Sequence, residues 1–462
     1  MLLAPAPPRT AVQSRAPARR ARLTNPFRLP LLTMTRPRPA IPAARALTAA
    51  ALLVPAVLCA QAPALPATTD ARVRAALETI RTDNAWTLDQ QSSICEIPAP
   101  PFHEAKRGAE VERRFRALGY TNVKIDSVGN VIAERPGTGR GPVVVLAGHL
   151  DTVFPEGTDV RVKRSGSRMT APGIGDDCRG LATVLAVARA LQQARVQTPG
   201  TIYFVGDVGE EGPGNLRGMR YLFGSGMKGK IDYFISVDGT GLHVTDRAVG
   251  STRYHVTYRG PGGHSYGAFG IPNPIHALGR AIAQIADLQV PASPKTTFNV
   301  GVISGGTSVN SIPFEGSMQL DMRSESLDAL NALDRQVRKI LVDALDAENA
   351  RWIRQTGERA ERAKLSLQVD TIGIRPANSA QTDSAHIVAT ALAAGRALGF
   401  TARTGASSTD ANIPMSLGIP AITIGGGGQG TGAHSLGESY DDGPTGWLGP
   451  QWAALIVTML AR

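Results

Sequence analysis

Cysteine is scarce in this sequence, and its scarcity excludes two kinds of architecture. The chain of 462 residues has three cysteines, Cys59, Cys95 and Cys178, too few for the disulfide framework of a small secreted scaffold. No Cys-x-x-Cys pair occurs, so a zinc site built from thiolates is excluded as well. A single bridge between Cys95 and Cys178 stays open, because sequence alone does not decide it.

Aromatic residues are also few, at 5% of the chain, so a stacking platform for single-stranded nucleic acid has little material. The net charge of +11 does not favour nucleic acid either. Nine arginines and no acidic residue lie in residues 1–60, which leaves +2 for the rest of the chain. We therefore expect no nucleic-acid partner.

Residues 1–60 are interpreted as a leader for export. Three arginines form a basic front end: Arg36, Arg38 and Arg45. The apolar run at 46–58 follows, and it is far shorter than the ~20 residues that span a bilayer. Small residues come next, so we expect a signal peptide cleaved after Ala60 and a secreted or periplasmic protein with no stable membrane insertion. A membrane anchor or a lipid on Cys59 is the alternative, and Met34 is a candidate start.

Two patterns of secondary structure divide the rest of the chain. After a linker at 61–70, residues 71–248 and 373–462 alternate apolar strand-like runs with amphipathic helices, which is typical of an α/β sheet covered on both faces. Between them, residues 249–372 have the order β-α-β-β-α-β. We therefore expect a catalytic domain with a mixed, mostly parallel sheet, and an inserted α+β domain that serves dimerisation and acts as a lid.

The individual elements are predicted from apolar spacing. Helices are expected at 71–92, 103–118, 179–195, 274–287, 326–346 and 379–399. Strands are expected at 123–125, 131–133, 143–147, 201–205, 234–237, 251–260, 296–303, 316–323, 365–369 and 421–424.

Histidines and carboxylates gather where predicted strands end or a helix begins. The candidates are His149, Asp151, Asp176, Asp177, Glu210, Glu211, Asp238 and His434. Strand ends form the binding edge of an α/β sheet, and imidazole and carboxylate ligands without thiolates suit a catalytic zinc. The surplus of carboxylates favours two metals bridged by one of them. Each motif alone also has a structural interpretation, such as an aspartate that caps a helix, but their occurrence together favours metal.

Nine motifs, in one order, resemble the di-zinc exopeptidase family that includes peptidase T, glutamate carboxypeptidase, acetylornithine deacetylase and succinyl-diaminopimelate desuccinylase. The resemblance runs from about residue 97 to the C-terminus. The motifs are GHLDTVF (148–154), GIGDDCRG (173–180), GEEG (209–212), VDG (237–239), GGHS (262–265), GGTSVNSIP (305–313), DMR (321–323), STDAN (408–412) and AHSLGE (433–438).

The resemblance implies two Zn²⁺ ions per subunit, with cobalt or manganese as substitutes. Asp176 would bridge the ions. His149 and Asp238 would complete one site, and Glu211 and His434 would complete the other. The doubled aspartate leaves the bridging residue open on spacing alone, and the family's Gly-Ile-Gly-Asp frame selects Asp176.

Further roles follow from the same resemblance. Asp151 would orient the imidazole of His149, as such ligands usually require, and Glu210 would be the general base. His264 would reach the active site of a neighbouring subunit in a homodimer. The substrate's oxyanion or carboxylate would be held by Asn310 and Arg323. Cys178 is interpreted as a small packing residue, with a nucleophilic thiol as the alternative.

We therefore expect a zinc-dependent exopeptidase that hydrolyses short peptides with a metal-activated water and Glu210 as general base. An N-acyl amino acid deacylase with the same di-zinc centre is the alternative enzyme. Asp238 leans towards the peptidase T side of the family, because carboxypeptidase-like members often have Glu there. A periplasmic peptide-binding protein with an inactive metal site is the alternative that is not an enzyme, although no expected ligand or base is missing.

Overall fold

The computed structural model describes Thr68, residues 70–378 and residues 385–462. The predicted leader with its cleavage site lies outside these residues, as do most of the predicted linker and the first six residues of the helix expected at 379–399. Within the described ranges, no helix combines the length and apolar character of a membrane span.

The α-helices of these ranges are given in chain order. They are α1 (Ala71–Thr82), α2 (Asn84–Cys95), α3 (Ala105–Ala117), α4 (Cys178–Gln193), α5 (Arg217–Tyr221), α6 (Pro274–Ala286), α7 (Leu327–Thr356), α8 (Glu358–Glu361), α9 (Ala385–Ala397), α10 (Asn412–Ser416) and α11 (Leu448–Leu460). A 3₁₀ turn at Gly212–Gly214 and a π-helical turn at Leu222–Gly226 flank α5.

The β-strands follow the same order. They are β1 (Val123–Ile125), β2 (Val131–Arg135), β3 (Val144–His149), β4 (Lys163–Ser165), β5 (Arg168–Thr170), β6 (Ile202–Asp207), β7 (Tyr233–Val237), β8 (His243–Ala248), β9 (Gly250–Arg259), β10 (Gly263–His264), β11 (Thr296–Gly305), β12 (Ser311–Ile312), β13 (Glu315–Ser324), β14 (Ser366–Arg375), β15 (Arg403–Ser407), β16 (Ala421–Ile424), β17 (Gln429–Thr431) and β18 (Ser439–Asp441).

Eight strands form the larger sheet, in the order β1-β2-β6-β3-β7-β16-β8-β15. Its centre, β6-β3-β7-β16, is parallel, whereas β2 joins β6 and β8 joins β16 in antiparallel fashion. The sheet is therefore mixed with a parallel centre, which confirms the predicted fold class.

Helices cover both faces of this sheet because its central strands are apolar on both sides. Leu146 and Phe204 point to one face and pack with α1, α3, α4, α9 and α11. Val145 and Val205, their neighbours along the strands, point to the other face and pack with α5 and α10. Burial on both faces is typical of parallel sheets, and it leaves the strand ends as the place where polar groups collect.

A second sheet, antiparallel throughout, has the order β11-β13-β9-β14. Helices α6 and α7 cover one face of it with their own apolar core, which includes Tyr254, Leu278 and Leu333. The order of its main elements is the predicted β-α-β-β-α-β. Its strands run from Gly250 to Arg375, so the last strand passes the expected boundary at residue 372, and the domain limits stay a prediction.

Several elements differ from the expectations. The helix expected at 71–92 is two helices, because the N–H of Asp83 bonds to the carbonyl of Thr79 and closes the first one. The helix expected to end at 346 continues to Thr356, where Trp352 is buried against the second sheet's domain. Helix α11 was not predicted from spacing, since it is buried on nearly every side and shows no amphipathic period.

Cys95 and Cys178 do not form the disulfide bridge that the sequence left open. Both are buried free thiols. They pack in one apolar cluster with Met169 and Tyr440. Cys178 therefore lies where the packing interpretation places it.

Candidate metal centre

The central strands bring the predicted site residues to one edge of the larger sheet. His149 is the last residue of β3 and is 1% exposed. Glu210 and Glu211 follow β6, and Asp238 follows β7. Because β6, β3 and β7 are parallel neighbours, these side chains emerge side by side at the carboxyl edge.

Asp176 lies at the centre of the cluster. Its Oδ1 is 3.0 Å from Nε2 of His149, and its Oδ2 is 3.1 Å from Nε2 of His434. The same nitrogen of His434 is 3.0 Å from Oε1 of Glu211. One carboxylate thus faces two imidazoles with its two oxygens, which is the arrangement that a bridging ligand needs.

Two sets of three potential donors share Asp176. The first is His149, Asp176 and Asp238, and the second is Asp176, Glu211 and His434; within each set the donor atoms lie within 4.8 Å of one another. The structure therefore brings all five ligands together in the two groups that the family resemblance implies, and a third set of close donors is His149, Glu210 and Glu211. Their role as ligands stays a prediction.

The charge balance of the cluster fits divalent cations. Burial and the neighbouring Asp176 raise the pKa of Asp238 to about 7. Hydrogen bonds to Asp176 and Glu211 raise the pKa of His434 to about 10. Carboxylates crowded in this way repel one another, and nearby positive charge stabilises them. A bound proton supplies such a charge, and a divalent metal ion supplies a larger one. Imidazole and carboxylate donors in these numbers suit zinc and its neighbours.

The neighbouring residues Asp176 and Asp177 make different contacts. Asp176 faces the cluster, whereas the buried Asp177 accepts the backbone N–H groups of His149 at 3.0 Å and Gly180 at 2.9 Å. Asp177 thereby caps helix α4 and fixes the end of β3. The helix-capping interpretation thus applies to Asp177, and Asp176 is left free for the cluster.

Asp151 holds the cluster differently from the expectation. Nδ1 of His149 lies 3.0 Å from the backbone carbonyl oxygen of Asp151 and 3.7 Å from its Oδ1. The Asp151 carboxylate instead accepts the backbone N–H groups of Glu210 at 3.0 Å and Glu211 at 2.9 Å. The backbone of Asp151 therefore orients the imidazole, and its side chain fixes the turn that carries the glutamate pair.

Arg375 is a site residue that the sequence motifs did not reveal. This buried side chain at the end of β14 places Nη1 2.8 Å from Oε1 of Glu210, and its Nη2 also donates to the backbone carbonyl of Glu210. Burial raises the pKa of Glu210 to about 8, and the charge of Arg375 opposes that rise.

A cavity of about 660 Å³ separates the cluster from the second sheet. The second sheet contributes Arg253, Asp321 and Arg323 to its lining. Asp321 accepts from Nε of Arg253 at 2.8 Å and from Nε of Arg323 at 2.7 Å. The predicted substrate-binding residue Arg323 therefore faces the metal cluster across the cavity.

Comparison with known proteins decides the family. Residues 145–445 match the peptidase family M20/M25/M40. The chain belongs to this family. It is accordingly a metallopeptidase or amidohydrolase.

Individual relatives agree with this assignment. The protein YqjE of Bacillus subtilis is 25% identical over 356 residues, 73% of this chain and 89% of YqjE. The N-acetylcysteine deacetylase of Bacillus subtilis is 26% identical over 271 residues, 55% of this chain and 69% of the relative. The aminopeptidase PepT from Bacillus cereus shares the fold, with a TM-score of 0.64 and 20% identity over 81% of this chain and 98% of PepT.

Glu438 is a second residue of this M20 chain to which the sequence analysis gave no role, although it ends the motif AHSLGE. It is buried, and it accepts three backbone N–H groups from the loop that carries Asp176: Gly173 at 2.9 Å, Gly175 at 2.8 Å and Asp176 at 2.9 Å. Glu438 lies four positions after His434 in the sequence. One carboxylate thus ties together the two loops that supply Asp176 and His434.

Two predicted site residues lie away from the cluster. His264 is exposed on β10, and Asn310 is exposed just before its partner strand β12. The backbone N–H of Ser265 bonds to the carbonyl of Asn310 at 2.8 Å, so the two lie close to each other. Neither lines the cavity at the metal cluster of their own chain.

Proposed function

We propose that this M20 chain is an exopeptidase that hydrolyses short peptides at a centre of two zinc ions. The observation that carries the proposal is the pair of donor sets that share Asp176, with the buried carboxylate of Glu210 beside them in the same cavity. A shared carboxylate, and a second carboxylate beside the two donor sets that contain it, are what a two-metal hydrolase requires.

The ligand assignment follows the two donor sets. His149 and Asp238 would hold one ion together with Asp176, and Glu211 and His434 would hold the other with the same aspartate. Bound divalent cations polarise a carbonyl oxygen and lower the pKa of a coordinated water towards neutrality.

Glu210 is the general base in this proposal. It takes a proton from the attacking water and delivers it to the leaving amine. Two contacts hold it in place: the Asp151 carboxylate fixes its backbone N–H, and Arg375 fixes its Oε1. Because the carboxylate must be free of its proton to act as a base, the positive charge of Arg375 favours the active form.

The volume of the cavity supports a small substrate. About 660 Å³ lies within the range of sites for small molecules, roughly 300–1,000 Å³. Arg323 on the far wall offers a guanidinium for a substrate carboxylate. A short peptide with one charged end fits such a site.

We also propose a homodimer in which His264 and Asn310 reach the partner's cavity. Both are exposed and outside the cavity of their own chain, so a role in the reaction requires a second subunit. The edge strand β11 of the second sheet supports this proposal, because it exposes Val302 and Ile303 by 49% and 61%. Export to the periplasm or beyond is proposed from the leader alone.

A second candidate reaction is the removal of the acyl group from an N-acyl amino acid. It is favoured by the relative named N-acetylcysteine deacetylase, which is 26% identical. The deciding experiment incubates the zinc-loaded and cobalt-loaded protein with a mixed library of short peptides and N-acyl amino acids, and identifies the products by mass spectrometry. Release of single amino acids from peptides is the expected result, and products from N-acyl amino acids alone would replace the exopeptidase by the deacylase.

A further inference from the structure

The cleft continues beyond Arg323. A second cavity of about 280 Å³ opens there, and it shares three lining residues with the cavity at the metal cluster: Arg323, Ser407 and Ser408. The remaining lining residues are Val249, Lys295, Thr297, Glu325 and Ala406. The two cavities therefore adjoin at Arg323, Ser407 and Ser408.

Strand register explains how the second sheet lines this cleft. Its uncovered face carries one row of directly paired residues across all four strands: Thr297, Arg323, Ser251 and Arg375. Lys295 lies in the turn just before β11, and Glu325 follows the last residue of β13. The N–H of Glu325 bonds to the carbonyl of Lys295 at 3.2 Å. Both residues line the second cavity together with Thr297 and Arg323, so they border this end of the sheet.

The cationic side chains along this surface differ in whether they have an ion-pair partner. Arg253 and Arg323 are both paired with Asp321, and Arg375 is paired with Glu210. Lys295 is exposed and forms no ion pair among the described residues, including with Glu325 opposite. Among the described lysines and arginines that line the two cavities, Lys295 is the one without an ion pair.

We propose that the second cavity binds the free C-terminal carboxylate of a peptide that extends past Arg323. Lys295 pairs with the carboxylate, and the hydroxyl groups of Thr297 and Ser408 lie along the same wall to donate hydrogen bonds. The substrate class is thus a peptide long enough to place its C-terminal carboxylate in the second cavity, and this inference rests on the proposed exopeptidase function.

The test measures binding separately from hydrolysis. Lys295→Met is introduced into the Glu210→Gln background, loaded with zinc, and titrated calorimetrically with alanine peptides of two to five residues. Each peptide is used with a free C-terminal carboxylate and as the C-terminal amide. Lys228→Met is the matched control, because Lys228 is exposed and lines neither cavity.

The expected result is a Kd about tenfold higher for Lys295→Met with the longer peptides that carry a free carboxylate. The Kd for the dipeptide, for every amide and for the control variant should stay unchanged. Equal Kd values for Lys295→Met and its parent at all lengths would overturn the proposal. Peptide hydrolysis is measured in a separate experiment, with the protein in which Glu210 is intact. If the peptides bind with the expected pattern but are not cleaved, the exopeptidase function is contradicted and the carboxylate site is retained.

Discussion

Arg375 and Glu210 form a buried ion pair, with Nη1 2.8 Å from Oε1. The arginine comes from the last residue of the second sheet, and the glutamate from the turn after β6 of the larger sheet. The pair therefore joins the two sheets at the residue proposed as the general base. Its geometry is the source of the first prediction.

Arg375→Ala should move the acidic limb of the pH profile of kcat/KM to higher pH. The arginine lowers the pKa of Glu210 against the effect of burial, so its removal raises that pKa, and the base is then protonated over a wider pH range. Activity below the limb should fall about tenfold for each unit of the shift. Arg375→Lys keeps the charge and should shift the limb less. An unmoved limb in Arg375→Ala would separate Glu210 from the proton transfer.

Glu210→Gln and Glu211→Gln should lose activity for different reasons. Glu210→Gln removes the base, so turnover should drop by about 10²–10⁴ while the metal content stays that of the unaltered protein. Glu211→Gln removes a ligand beside His434, so one metal should be lost. Metal analysis by mass spectrometry, read with the rates, distinguishes the two. The reverse pattern would exchange the roles of the two glutamates.

Glu438→Gln should weaken metal binding although Glu438 is in neither donor set. Its two oxygens accept three backbone N–H groups of the Asp176 loop, and an amide NH₂ in place of one oxygen would face one of those donors. We expect the affinity for zinc to fall about 10–100-fold, as for other residues that orient metal ligands. The exposed Glu156→Gln serves as control. An altered visible spectrum of the cobalt-loaded variant should accompany the loss, whereas an unchanged zinc affinity contradicts this role.

His264→Ala and Glu210→Gln, each inactive alone, should restore activity when mixed under conditions of subunit exchange. One site of each mixed dimer then has both residues intact. The expectation rests on the exposed position of His264, outside the cavity of its own chain. If exchange is demonstrated by a mass-tagged subunit and no activity returns, His264 does not act across an interface.

Much of the fold was predictable because apolar spacing carries it. The central strands 143–147 and 421–424 are apolar runs with few alternatives, and the strand at Ala421–Ile424 has the expected ends. Helix α11 was missed because burial on nearly every side removes the periodicity on which prediction depends. Strand β4 (Lys163–Ser165), in a separate four-stranded sheet of the order β17-β18-β5-β4, was missed because it is exposed and has no apolar pattern.

The candidate site divides in a similar way. His149, Asp176 and Glu211 stand at strand ends or in short motifs, so their residue types and positions made them candidates. The family resemblance then selected Asp176 over Asp177 and Glu211 over Glu210 as ligands. Arg375 could not be found in this way, because its importance comes from a contact with Glu210 across 165 positions of sequence. Asp151 was predicted as the partner of His149, and its backbone carbonyl and its Oδ1 lie 3.0 Å and 3.7 Å from Nδ1 of that residue. The bonds from its carboxylate to two backbone N–H groups were not predicted, since sequence does not show which N–H groups a carboxylate faces.

The central claim is that Asp176 is shared by two metal ions. Its most direct test is titration of the metal-free protein with zinc, with the number of ions per chain determined by calorimetry and elemental analysis. We expect two ions per chain for the unaltered protein and for the surface control Asp159→Asn, and at most one for Asp176→Asn. Circular dichroism checks that the Asp176→Asn variant is folded. Two tightly bound ions in a folded Asp176→Asn variant, or a single ion in the unaltered protein, would contradict it.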